Sequence, residues 1–255
     1  VKKTVTYVTK ISHAVISLLL GVLATGLQAA ENPCAQISAF GAIYSLVKTA
    51  PAIEGAIETP IESTFALWRR QGQVAHDYRD RNITLLWNKT SNNRLRAVQA
   101  FNAHERSIEY EAHRQGDLNS WQNKRQFFSE QLMQSMTLIK REGTYCAQKE
   151  MYSSDEHGQT LLLEWLPAMQ VVSYYSAKTT QGMIEWRLDD IITDRTIINA
   201  AFAQWEGYAS TDYADIGDNE SDPFLLNMIN LGFIEHGSNG FYTASGQSMG
   251  TSHAH

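Results

Sequence analysis

The sequence predicts an α+β fold in which a curved antiparallel sheet, built from two strand groups, packs against three to four helices. Two observations carry this expectation. Short runs rich in β-branched and aromatic residues cluster at 61–111 and again at 160–191, and stretches with helical punctuation precede, separate and follow them. The breaks within each group are too short for parallel crossovers, so its strands must run antiparallel.

Ahead of the fold, residues 1–30 have the layout of a cleavable export signal. Lys2, Lys3 and Lys10 stand without an acid, an apolar run of fourteen residues spans 14–27, and small residues follow. That run is short for a membrane span, which needs about 20 residues. Cleavage after Ala29 or Ala30 and no stable membrane anchor are expected. The domain is then 31–245, with a flexible tail at 246–255.

Residues 36–48 (QISAFGAIYSLVK) space Ile37, Phe40, Ile43 or Tyr44, and Val47 as a short helix would. Residues 50–60, with Pro51, Gly55 and Pro60, read as a loop or edge segment. STFALWRR, QVAHDY, ITLLWNK, RLRAVQAF and SIEYEA then form a meander, with Gln71-Gly72, Asp80–Asn82, Ser91–Asn93 and Asn102–His104 as its turns. From Ser120 to Gly143 one long helix is expected, its apolar stripe made of Trp121, Phe128, Leu132, Met136 and Ile139. Strands resume at 160–165, 170–177 and 183–191. A helix capped by Asp194 stops at Gly207, and another begins at Asp222-Pro223, a cap followed by proline at the first helical position. A hairpin turning at Asn239-Gly240 closes the ordered part.

Removing the first 30 residues leaves 18 basic against 27 acidic side chains. That balance argues against nucleic acid or an anionic membrane as partner, since both require basic patches. The two cysteines, Cys34 and Cys146, have no Cys-x-x-Cys spacing, and in an exported chain they are expected to form one disulfide. Such a bridge closes a loop of over a hundred residues.

Linear motifs for zinc, for a serine nucleophile or for phosphate cradling are absent from the sequence. The aromatics Trp68, Trp87, Tyr110, Trp165, Tyr174 and Trp186 all fall on expected strands; on the concave side of a sheet they would line a pocket for an apolar or amphipathic ligand. His76 with Asp77, His104 with Glu105, and Glu109 are the scattered acids and histidines from which a hydrolase site would be built. The stretch TDYADIGDNESDPF carries hard oxygen donors at Asp212, Asp215, Asp218 and Glu220. Their spacing departs from the EF-hand pattern, so a calcium site there competes with a plain turn and helix cap.

The expectation is an exported soluble protein, periplasmic or secreted and non-enzymatic, that binds a lipid-like molecule without a cofactor. Its architecture is by analogy similar to that of periplasmic lipid and lipoprotein carriers. An exported hydrolase and an accessory module that contacts another envelope protein are the alternatives.

Overall fold

The computed structural model describes residues 38–51, 59–92, 94–111, 118–156, 158–217 and 221–231. All of them belong to the second of two units, Asn32–His255, the first being Val1–Glu31. The export segment, Cys34, Asp218, Glu220, the C-terminal hairpin and the tail lie outside the described residues.

The meander forms as its turn chemistry dictates. The strands β1 (Phe40–Thr49), β2 (Ile61–Arg70), β3 (Gln73–Tyr78), β4 (Ile83–Lys89), β5 (Leu95–Phe101) and β6 (Arg106–Glu109) pair in succession, antiparallel throughout. Asn82 and Glu105, at φ 53 and 50, take the left-handed turn positions after short 3-10 turns. The second group is β7 (Thr137–Glu142), β8 (Lys149–Glu156), β9 (Gln159–Leu166), β10 (Val171–Thr179) and β11 (Gly182–Ile192). A last short strand, β12 (Ala209–Asp212), lies parallel to β6.

The two groups are one sheet. Its twelve strands run β12-β6-β5-β4-β3-β2-β1-β11-β10-β9-β8-β7, and among the described residues only four short helices accompany it: α1 (Leu118–Gln126), α2 (Glu130–Ser135), α3 (Arg195–Glu206) and α4 (Pro223–Asn230). The α+β class expected from the sequence is therefore corrected to a sheet-dominated fold. Two misread segments account for most of the difference.

The first is the helix expected at 36–48, which is β1, the strand that joins both groups by pairing with β2 and β11. Phe40, Ala42 and Tyr44 are buried on one face, while Gly41 and Ile43 meet the packing on the other. A strand covered on both faces shows a continuous apolar run, which imitates helical spacing. The second is the long helix at 120–143, which is really α1, α2 and β7. Phe127 breaks it at φ 60, and the Ser129 hydroxyl accepts from the Leu132 amide at 3.1 Å to start α2. Trp121 of α1 and Phe128 and Met136 on either side of α2 are buried as a helical stripe would be, because both short helices pack on the inner face of the sheet. Ile139, assigned to that stripe, is 53% exposed on β7.

Side-chain contacts show that the sheet bends. Tyr44 on β1 donates its hydroxyl to the Val172 carbonyl on β10 at 2.9 Å, and Arg69 on β2 donates to the Met169 carbonyl just before β10. On a flat sheet β2 and β10 would stand three strand spacings, about 14 Å, apart. The sheet therefore curls towards the face that carries these residues, its inner face. That face holds a core of Phe40, Phe65, Leu67, Leu85, Trp87 and Ile108, topped by Trp121 of α1 and by Leu225 and Met228 of α4. It continues as a second cluster, Phe128, Met136, Leu163, Trp165 and Val172.

On the outer face, Ala66, Ala75 and Ala100 leave room for α3, which buries Ile198, Phe202 and Trp205 against Trp68 and Leu86. Asp194 caps this helix by accepting from the Thr196 amide at 2.7 Å. Beyond β1 the outer face turns polar: Ser45 donates to Asp189 at 3.1 Å, Tyr174 to Glu185 at 2.7 Å and Lys149 to Glu164 at 2.8 Å.

Candidate functional site

Strand alternation divides the six aromatic candidates between the faces. Trp87, Tyr110, Trp165 and Trp186 belong to the inner face; Trp68 packs under α3 on the outer face, and Tyr174 joins Glu185 in the polar patch there. Trp87 and Tyr110 are packed solidly in the larger core, and Trp186 rests against Phe127 with ring centroids 4.6 Å apart. Of the six, Trp165 borders a described cleft.

That cleft is an open groove of about 530 Å³ where the α1–α2 arm crosses the β7–β9 end of the inner face. Met133, Met136, Leu138, Tyr152, Trp165 and Pro167 give it apolar walls. Gln126, Glu130, Gln134 and Gln170 supply polar groups. Local rules place these residues: the Ser129 cap turns α2 over the strands, and period-2 alternation brings Leu138, Tyr152 and Trp165 to one side of three neighbouring strands. At the rim Tyr152 donates to Glu150 at 2.6 Å. That hydrogen bond holds the Glu150 carboxyl below the usual range, and burial, then Glu150, pushes the Tyr152 hydroxyl up to about 12.

Gln126 is only 3% exposed, and its amide oxygen has no hydrogen-bond partner. Arg69 is 1% exposed; one guanidinium nitrogen donates to the Met169 carbonyl, while Nε and Nη1 are unpartnered. Its guanidinium stacks 4.0 Å from the centroid of Phe40. Burial, and then the charge of Arg125, pull its pKa down to about 9, which leaves it a cation at neutral pH. Lys124 sits 4.5 Å over Trp87, and burial lowers its pKa and that of Arg125. Among the described residues none of these three cations is in an ion pair.

The acids and histidines singled out in the sequence do not converge. His76 is buried on the inner face among Phe65, Trp87 and Phe127, its Nε2 2.7 Å from the Lys124 carbonyl, which makes it the donor of a neutral ring. Asp77 points to the outer face, where Thr84 donates to it at 3.1 Å and burial raises its pKa. His104 lies against Phe224, Glu105 occupies a left-handed turn, and Glu109 accepts from Ser210 at 2.7 Å and pairs with Arg96 at 3.5 Å.

In the acidic stretch, Asp212 caps a 3-10 turn by accepting from the Ala214 amide at 3.3 Å, Asp215 ends that turn, and Tyr213 stacks on Tyr110 at 5.0 Å. Asp222 accepts from the Phe224 amide at 2.8 Å and from Arg106 at 2.7 Å, and the hydrogen bond from Arg106 holds its pKa down. Among the described residues no group of three or more His, Cys, Asp or Glu side chains is placed to hold a metal. Cys146 is not a free thiol.

Sequence reading missed Arg69, Gln126 and Met133 of α2. For Arg69 a signal existed: in FALWRR it shares the parity of Phe65 and Leu67, the buried side of the strand.

No family model and no curated protein matches the sequence. Among solved structures, PNGF-II in its P21 crystal form overlays with a TM-score of 0.39 at 7% identity, over 69% of this chain and 31% of that one. MucB gives 0.30 at 12% identity, over 64% and 56%. A domain from Vibrio parahaemolyticus, titled as a candidate outer membrane lipoprotein-sorting protein, gives 0.28 at 8% identity, over 66% and 92%. The chain thus spans less than two thirds of PNGF-II and of MucB.

Proposed function

We propose that the protein is an exported envelope protein that binds an amphipathic, lipid-like molecule in the cleft between the α1–α2 arm and strands β7–β9. The observation that carries this reading is the cleft itself. Its volume of about 530 Å³ falls in the range of small-molecule sites, and its apolar wall is interrupted by a few convergent amides. Met133 and Met136 suit such a wall, because unbranched thioether side chains adapt to flexible chains.

Chemistry at the site is passive: bind, orient and shield. The scattered acids and histidines supply no paired acid and base around the cleft. Titration with N-phenyl-1-naphthylamine, a neutral apolar fluorophore, tests the reading. Saturable binding at one site is expected, weakened about tenfold or more by Met133→Glu, which places a charge on a half-buried wall position. Absence of binding, or binding indifferent to that change, refutes the cleft as the site. Export rests on the pattern of residues 1–30, and N-terminal sequencing of periplasmic protein is expected to start at Ala30 or Glu31.

A further inference from the structure

A buried guanidinium without a counter-ion is unusual, because an uncompensated charge inside a protein is strongly disfavoured unless something pairs with it. Arg69 is in that position, with two nitrogens unpartnered and a second cation, Arg125, close enough for its charge to be felt. The cleft wall begins one residue along the chain from groups that surround Arg69. The residue after Met169, which accepts from Arg69, is Gln170; the residue after Arg125 is Gln126; both amides line the groove. Among the described residues the carboxylate that lines the cleft, Glu130 on α2, forms no ion pair with these cations, and nearby Glu150 is taken by Tyr152 and Arg141.

We propose that the amphiphile is anionic, and that its carboxylate or phosphate head enters on the Gln126–Gln170 side of the cleft to pair with Arg69 and Arg125 while its chain lies along Met133, Met136 and Trp165. This inference rests on the cleft being the binding site. It gives the buried arginine a role, since a guanidinium is weakly hydrated and matches oxyanions in geometry. It also matches the net acidity of the chain: the attraction is local and internal, so it captures single amphiphiles without drawing the protein onto an anionic membrane.

Isothermal titration calorimetry with decanoate, decyl phosphate, 1-decanol and acetate separates the elements of the proposal. Decanoate or decyl phosphate is expected to bind about tenfold or more tighter than decanol, as one charge-assisted hydrogen bond implies. Acetate should bind far more weakly than either. Arg69→Gln and Arg125→Gln should bring the preference for the anions over decanol down to threefold or less. Near-UV circular dichroism verifies the fold, and Arg125→Gln, at a half-buried position, serves if Arg69→Gln does not fold. Equal binding of decanol and both anions, or a preference that survives both substitutions, overturns the anionic head and leaves the cleft intact. Acetate binding as tightly as decanoate overturns the amphiphile. Failure of every decyl probe removes the cleft reading, and this proposal with it.

Discussion

His76 offers a pH dependence that can be worked from the structure. Burial among three aromatic rings lowers its pKa from 6.5 to about 3, so the folded protein keeps it neutral down to strongly acidic conditions. The unfolded chain takes up a proton near pH 6.5. Between those values the unfolded state binds more protons, and stability must fall as pH falls. Each pH unit well below 6.5 costs a little over 1 kcal/mol, so lowering pH from 7.5 to 4.5 removes roughly 3 kcal/mol through this residue. His76→Phe removes the titration and also the hydrogen bond to the Lys124 carbonyl, a loss of about 1 kcal/mol that does not vary with pH. Urea denaturation at both pH values is the assay. The wild type is expected to be the more stable at pH 7.5 and the variant at pH 4.5. Asp77, whose raised pKa acts with the opposite sign, is common to both and cancels. Equal losses in wild type and variant would refute the buried neutral imidazole.

Three further outcomes follow from local geometry. Gly41→Ala places a Cβ 2.6 Å from the Trp68 ring, which is held by Trp205, and should cost about 1–3 kcal/mol in a denaturant melt. Asp222→Ala removes the cap of α4 and strands Arg106, whose buried Nε is already unpartnered; a loss of about 1–2 kcal/mol is expected, shrinking below pH 4 as the wild-type carboxylate titrates. The proposed Cys34–Cys146 bridge predicts no free thiol in the denatured, unreduced protein and a loss of about 4–5 kcal/mol on reduction; finding two thiols would disprove it.

Much of the local structure was legible because single residues announced it. Asp80–Asn82 and Asn102–His104 mark the turns of the meander, and Asp194, Gly207 and Asp222-Pro223 bound α3 and α4. The failures share a cause. In β1 and in the segment 120–142, burial was decided by what packs from above and below. Phe40, Ile43 and Val47 sit three or four residues apart in a strand covered on both faces, while Trp121 lies on α1 and Phe128 and Met136 in the links on either side of α2. Spacing cannot tell these cases from a helix stripe. The candidate site was less legible still. It is assembled from α1, α2, three strands and a turn, and the chain positions of Gln126, Met133, Leu138, Tyr152 and Gln170 do not reveal that they meet. Nor did composition show that Tyr174 would find Glu185 outside the core.

An open sheet of twelve strands has two rims, and each is a template on which another chain can crystallise its backbone hydrogen bonds. At one end of the described sheet stands β12, four residues long and paired in parallel with β6. At the other stands β7, where Lys140 and Glu142 form an ion pair and Arg141 holds Glu150 at 2.9 Å, an ionic fringe along an exposed strand. Brevity guards one rim and charge the other. Replacing Lys140 and Arg141 together with threonine would lift that guard, and the first symptom would be fibrillar self-association at high concentration, before any change in ligand capture.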